Sequence, residues 1–284
     1  MQAPHTTPSP ASSPPSPRRW HVDEIDYAGI DLARIQDQED LFYLVASASF
    51  IETGSDMYTR NLVRHYADYP EVAHWLQQHW EPEELQHGLA LRRYVEAVWP
   101  EFPWQEAFDA FFAEYGALCT DEELERDRTL ELVARCVVET GTTTYYHTMR
   151  DLAAEPVLAD LANRIRGDEV QHYKYFLQYF RKLQASQPAG PSRLHIARVL
   201  YQRLREIKDS DSDVALRHVW QHRPERFRQA SFAQISQRSY RLVSSNLPIT
   251  QVIRMLLKPV DLPRSLEKLL EPALQRLARR VLSA

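Results

Sequence analysis

Glycine is scarce in this 284-residue chain, with 7 residues and no Gly-x-Gly-x-x-Gly among them. A dinucleotide-binding βαβ unit needs that fingerprint for its tight turn and its close approach to pyrophosphate, so its absence argues against one, and reducing electrons are expected from another protein. Cysteine is scarcer still: Cys119 and Cys136 cannot build a zinc cage and give no reason to expect a disulfide framework, which makes a reduced, cytoplasmic setting the expectation. No stretch of about 18 apolar residues exists to span a bilayer. Between about residues 39 and 185, β-branched residues are too scattered to build strands. The first 18 residues hold six prolines and no apolar h-region, so residues 1–19 read as a disordered Pro/Ser-rich arm rather than a secretion signal.

What is present is enough for a sizeable core, with 44% hydrophobic and 26% charged residues. The net charge of −5 conceals an asymmetry: residues 191–284 carry 18 basic against 8 acidic residues, leaving 16 against 31 for the rest. A +10 segment beside a −15 segment implies different jobs, and two units are expected, a helical bundle over 20–186 and a basic helical extension over 191–284. Within the bundle, apolar residues recur at three and four spacing. Tyr69-Pro70 and Glu155-Pro156 mark hairpin bends, because the residue before proline avoids helical geometry while proline suits a first helical turn. A connector helix is expected near 104–117, a helix start at Thr120-Asp121-Glu122-Glu123, and a last helix over 262–284 with a leucine stripe.

Two Glu-x-x-His pairs, Glu84/His87 and Glu169/His172, each follow a lone glutamate, Glu52 or Glu139. Depth in the bundle separates this set from chance. Glu52 lies 17 residues before the first bend and Glu84 14 after Pro70; Glu139 lies 16 before Glu155 and Glu169 13 after Pro156. Antiparallel hairpins then bring all of them to one height within about one turn. The hairpins are offset by 87 residues for the lone glutamates and 85 for the pairs, a quasi-repeat that solvated charge does not explain. A third copy, Glu71/His74, falls about 20 Å from Glu84 along the helix and is read as surface charge. Four carboxylates and two imidazoles facing inward from a four-helix bundle suit two first-row ions, iron before manganese, rather than tetrahedral zinc. A bundle with inner salt bridges instead would need Lys or Arg at the same phase, and few are there.

The segment Trp80-Glu81-Pro82-Glu83-Glu84-Leu85-Gln86-His87-Gly88 resembles the W-x-x-E-E-x-x-H-G segment of the soluble acyl-acyl carrier protein desaturases, and Asp168-Glu169-Val170-Gln171-His172 resembles their D-E-x-x-H. Glu52 with Tyr58, and Glu139 with Thr142, fall where that family has a ligand glutamate and a nearby Tyr or Thr. The likeness covers about residues 40–185 and is specific for the ferritin-like di-iron superfamily; residues 191–284 have no counterpart in it. It implies an all-α, ferritin-like four-helix bundle with a C-terminal helical extension, two Fe ions with Fe/Mn left open, Glu84 and Glu169 as shared ligands, and Glu52 with His87 and Glu139 with His172 completing one ion each. It further implies O2 activation at the reduced site and attack on an unactivated carbon, with an external electron donor such as a ferredoxin.

Around the ligands, Asp168 is the expected partner of His87, and Glu83 of His172, since a ligating histidine usually donates its other ring N–H to a carboxylate. Thr142 and Thr143 follow Glu139 by three and four residues, so one of them should face the cavity. Tyr146 and Cys136 read as core packing. Gly54, Gly88, Gly141 and Gly167 lie within two residues of a ligand and are expected to leave room for close helix approach or a substrate channel. The basic extension is expected to dock on the acidic bundle; an acidic carrier protein remains open as a partner, as does a homodimer, and no nucleic-acid module is present. The sequence thus points to a di-iron oxidoreductase of desaturase or oxygenase type, the alternative being an iron-binding, storage or peroxidase-type protein without an organic substrate.

Overall fold

The computed structural model describes residues 19–187, 190–206 and 211–282; the expected N-terminal arm lies outside them except for Arg19. Two helical hairpins form the centre. In the first, α2 (Glu39–Thr53) passes through Gly54 into α3 (Ser55–His65), and α4 (Pro70–Trp75) returns through a π-helical stretch, Leu76–Trp80, into α5 (Glu81–Val98). A single turn, α1 (Leu32–Ile35), precedes them, and the connector is α6 (Trp104–Leu118). The second hairpin is α7 (Arg128–Leu152) and α8 (Pro156–Ser186), both unbroken.

Local chemistry fixes the second hairpin's ends. Asp127 caps α7 by accepting from the Thr129 and Leu130 amides, and Glu155 caps α8 by accepting from Val157 and Leu158 while also receiving the Tyr94 hydroxyl at 2.8 Å. The helix start expected at Thr120–Glu123 is only a 3-10 turn over Asp121–Glu123. Asp127 is the cap that wins, because its carboxylate satisfies two free amides of the first turn of α7.

Apolar side chains collect in two clusters, one around Phe42, Phe50, Trp99 and Phe111, the other around Leu62, Trp75, Phe176 and Phe180. Each of the four bundle strands of chain contributes to both, and the expected ligands fall between. Phe50 and Leu62 flank Glu52; Trp80 and Ala90 flank Glu84 and His87; Val137 and Tyr146 flank Glu139; Ile165 and Tyr173 flank Glu169 and His172. Each fully buried large apolar side chain contributes about 1.5–3 kcal/mol, so two such clusters offset the cost of a polar layer between them.

The extension wraps the bundle. α9 (Arg193–Glu206) and α12 (Ile249–Leu257) lie on α7, α10 (Asp211–His222) on α2 and α6, α11 (Phe232–Asn246) on α2 and α7, and α13 (Arg264–Leu282) on α12. Its charge meets the bundle's: Arg203 reaches Glu125 at 3.1 Å, Arg217 and His218 both reach Glu114, Arg226 reaches Glu101 at 2.7 Å, and Arg238 pairs with Glu39 and Asp40. The leucine stripe of the last helix docks less completely than its pattern implies, since Leu266, Leu269 and Leu277 face solvent. Among the described residues no helix is long and apolar enough to cross a membrane.

Candidate metal centre

The six inward residues come together as two quartets, Glu52, Glu84, His87 and Glu169, and Glu84, Glu139, Glu169 and His172. In each quartet the donor atoms lie within 4.8 Å of one another, and Glu84 and Glu169 belong to both. His87 Nδ1 stands 3.3 Å from Glu169 and 3.7 Å from Glu52; His172 Nδ1 stands 3.0 Å from Glu84 and 3.7 Å from both Glu139 and Glu169. All six side chains are buried. Glu71 and His74 are exposed, with Glu71 paired to Lys182, and take no part.

Each imidazole is held from behind by the opposite hairpin. His87 Nε2 on α5 lies 3.1 Å from Asp168 on α8, and His172 Nε2 on α8 lies 2.8 Å from Glu83 on α5. A proton held on Nε2 by that carboxylate would leave Nδ1 as the donor toward the quartet once the site holds metal. The two unshared glutamates show the same reciprocity. Glu52 accepts from the Tyr146 hydroxyl of α7 at 2.5 Å, and Glu139 accepts from Trp80 Nε1 of the π-helical stretch at 3.2 Å.

Burial and mutual repulsion dominate the electrostatics. Glu84 is pushed well above the carboxylate range by burial and then by the charges of Glu169 and Glu52; Glu139 is pushed up to about 8, mainly by burial. Burial also disfavours charge on Glu169, but the closeness of the His172 and His87 imidazoles prevails and holds its carboxyl well below the ordinary range. Burial would lower both imidazoles, yet the surrounding carboxylates outweigh it and raise them well above normal. The cluster therefore favours positive charge at its centre, whether protons or cations. Four of its buried atoms, His87 Nδ1, His172 Nδ1, Glu139 Oε2 and Glu169 Oε1, have no properly directed hydrogen bond within the chain, a cost of about 1–3 kcal/mol each that coordinated cations would remove. The donor set and these unpaired atoms fit a pair of octahedral-type first-row ions.

Of the two candidate threonines, Thr142 donates to Glu169 Oε2 at 2.7 Å, whereas Thr143 is fully buried and its hydroxyl bonds to none of the ligands. Tyr146, expected only to pack, has its ring in the core and its hydroxyl on a ligand. Cys136 packs in the apolar cluster, and burial raises its thiol well above normal. Tyr58 lies beneath Arg135, 4.5 Å from ring centre to guanidinium, and Arg135 is itself paired with Glu131 at 2.8 Å. The one buried arginine of α7 thus already has its own carboxylate.

Sequence reasoning missed Trp20. Its Nε1 donates to Asp168 at 2.6 Å and its ring stacks parallel to His87 at 6.1 Å. Tryptophan in an otherwise polar, proline-rich stretch was the available signal. The glycines divide. A Cβ at Gly88 would stand 2.6 Å from the Thr53 amide nitrogen, so α5 crosses α2 there at backbone contact, whereas nothing lies within 4 Å of the corresponding point at Gly141.

No protein-family model matches the chain, and no curated protein matches it in sequence. Among the solved structures similar to it are two of single-residue variants of an R2-like ligand-binding oxidase. One, with an anaerobically reconstituted Mn/Fe cofactor, aligns with a TM-score of 0.51 at 12% identity over 84% of this chain and 88% of that one. The other, with an aerobically reconstituted Mn/Fe cofactor, aligns with a TM-score of 0.50 at 11% identity over 92% and 88%. At such identities the likeness is one of fold, and the chain has the all-α ferritin-like fold.

Proposed function

We propose that this protein is an O2-dependent oxidoreductase working with two first-row metal ions, iron at both positions or manganese beside iron. The observation that carries this reading is the pair of buried quartets sharing Glu84 and Glu169. Glu84 and Glu169 would be shared by both ions, Glu52 and His87 would complete the donor set of one, and Glu139 and His172 that of the other. The Mn/Fe cofactor of the oxidases similar in fold supports the same choice of metals. When bound and reduced, two such ions supply O2 reduction and the oxidising power to attack an unactivated C–H bond.

The chain's own residues provide the rest. Asp168 and Glu83 hold the imidazoles in one tautomer and one orientation. Tyr146 and Trp80 fix the unshared carboxylates, so the donors are set before a metal arrives. Thr142, half-exposed beside the open face at Gly141, places a hydroxyl on a shared carboxylate where a substrate can approach. The desaturase-like motifs around Glu84 and Glu169 favour an aliphatic or carrier-bound substrate and desaturase or oxygenase chemistry. In a desaturation, O2 takes two electrons and two protons from the substrate's adjacent carbons. An external donor of ferredoxin type supplies two more electrons and solvent two protons, giving an alkene and two waters.

The test is metal content and optical spectrum after anaerobic iron loading, then exposure to O2, beside a Glu139→Ala control. About two ions per chain and a transient O2-dependent absorption absent from the control are expected. Zinc, or no metal after loading, would overturn the reading. Metal binding with no O2 consumption on addition of any acyl substrate would move it to the iron-binding alternative.

A further inference from the structure

A second site lies outside the bundle's polar layer. Where α7 and α8 meet the extension there is an open cavity of about 690 Å3, bounded by Val170 and Tyr173 of α8, by the turn entering α12 at Leu247–Ile249, by Met255, and by Arg279 of α13. That volume is in the range of small-molecule sites. Val170 and Tyr173 each follow a metal-centre residue by one position, and neighbours in a helix point about 100° apart, so the cavity opens on the outer side of α8. None of the six proposed ligands lines it.

Its walls are mainly apolar and its charge has one sign. Lys174, Arg254, Lys258 and Arg279 line it, with no aspartate or glutamate, in a chain whose net charge is −5. Arg254 and Lys258 are partly neutralised from α13, by Glu271 at 2.9 Å and Glu267 at 3.8 Å. Lys174 and Arg279 have no ion-pair partner among the described residues, although other cations of the extension pair with the bundle. An apolar wall ending in uncompensated cations is complementary to a molecule with one aliphatic chain and one anionic head.

We propose that this cavity binds a single-chain amphipathic anion, the chain against Tyr173, Ile249 and Met255 and the head between Lys174 and Arg279. A fatty carboxylate and an alkyl phosphate share this chemistry. The site does not depend on the reading of the metal centre, and the two fail separately.

The probes are dodecanoate and dodecyl phosphate below their micelle concentrations, titrated calorimetrically into the full chain, with dodecyltrimethylammonium as a matched cation. Saturable binding of one anion per chain is expected, with none for the cation; the tighter of the two heads identifies a carboxylate or a phosphate source. Lys174→Glu/Arg279→Glu, both exposed, should weaken binding at least about tenfold. Arg198→Glu/Arg241→Glu, equally exposed and outside the cavity, makes the same change in net charge and should leave the affinity unaltered. Glu139→Ala should bind the anion as the parent does. Absence of saturable binding, equal binding of the cation, or equal weakening by both charge-reversed pairs would overturn the proposal.

Discussion

The first hairpin is interrupted twice, at Gly54 and over the π-helical stretch Leu76–Trp80, while the second runs through 25 and 31 helical residues without a break. Both nevertheless deliver a glutamate and a Glu-x-x-His to the same layer. The cross-ties are reciprocal but unequal. Asp168, behind His87, is 3% exposed and held in turn by Trp20 and Arg19; Glu83, behind His172, is 20% exposed and has no other side-chain partner among its hydrogen bonds. The same ligand geometry can therefore sit in a drier half and in a more accessible half. Helix rise sets the depth of the ligands, and the ties between hairpins hold their side chains there.

The largest effect that tests this comparison is on metal content. Glu169→Ala removes a donor common to both quartets and should take the protein from about two ions per chain toward none, measured by elemental analysis after anaerobic loading. Glu139→Ala removes a donor from the second quartet alone and should leave about one. If both variants lose both ions, the halves are not separable and the inequality between them has no thermodynamic meaning. Next in size is the tie behind each imidazole. Asp168→Asn should weaken metal binding by about 10–100-fold in a chelator competition, while Glu83→Gln should cost less, because water can replace a partner that is already accessible. Equal losses would show that exposure does not distinguish the two halves.

Much of this layer was legible in the sequence, because prolines at 70 and 156 fix where each hairpin turns and residue counts from them fix depth. The count is one residue longer from Pro70 to Glu84 than from Pro156 to Glu169, and the π-helical stretch absorbs it, since i→i+5 bonding takes up an extra residue per turn. Neither that stretch nor the break at Gly54 could be read beforehand: local propensity does not say where a surplus residue will be accommodated. Tyr146 was ambiguous for another reason. A phenol is apolar along its body and polar at its tip, so one side chain can fill the core and reach Glu52. Trp20 and the wrapping of the extension depend on contacts far apart in sequence, Trp20 to Asp168 being separated by 148 residues, and periodicity carries no information about them.

Glycine offers a smaller test of the same contrast. In the first hairpin Gly88 permits backbone contact with Thr53, so Gly88→Ala should destabilise the fold by about 1–3 kcal/mol in urea denaturation, as overpacking does. In the second, Gly141 meets open space, and Gly141→Ala should be neutral or stabilising by up to about 1 kcal/mol through helix propensity. Gly141→Leu should likewise fold and keep its metal; a loss of turnover in that variant would place the substrate's approach over this face, and full activity would remove it from consideration.

The smallest expected effect concerns Thr142, whose hydroxyl bonds a carboxylate common to both quartets from the more open side. Backbone carbonyls of Val138 and Glu139 lie farther away, at 3.4 and 3.3 Å, so the 2.7 Å contact with Glu169 is the bond the hydroxyl makes. A hydrogen bond to a charged group is worth about 1.5–3 kcal/mol, while the β-branched isostere valine preserves shape and helix propensity. Thr142→Val should thus retain about two ions per chain and near-parental stability but lower turnover by roughly tenfold or more, with Thr142→Ser restoring it. If Thr142→Val loses metal instead, the hydroxyl serves to hold Glu169 in place. If it changes neither metal nor turnover, the threonine is a helix residue that happens to face the site, and the open side of the second hairpin has no part in the chemistry.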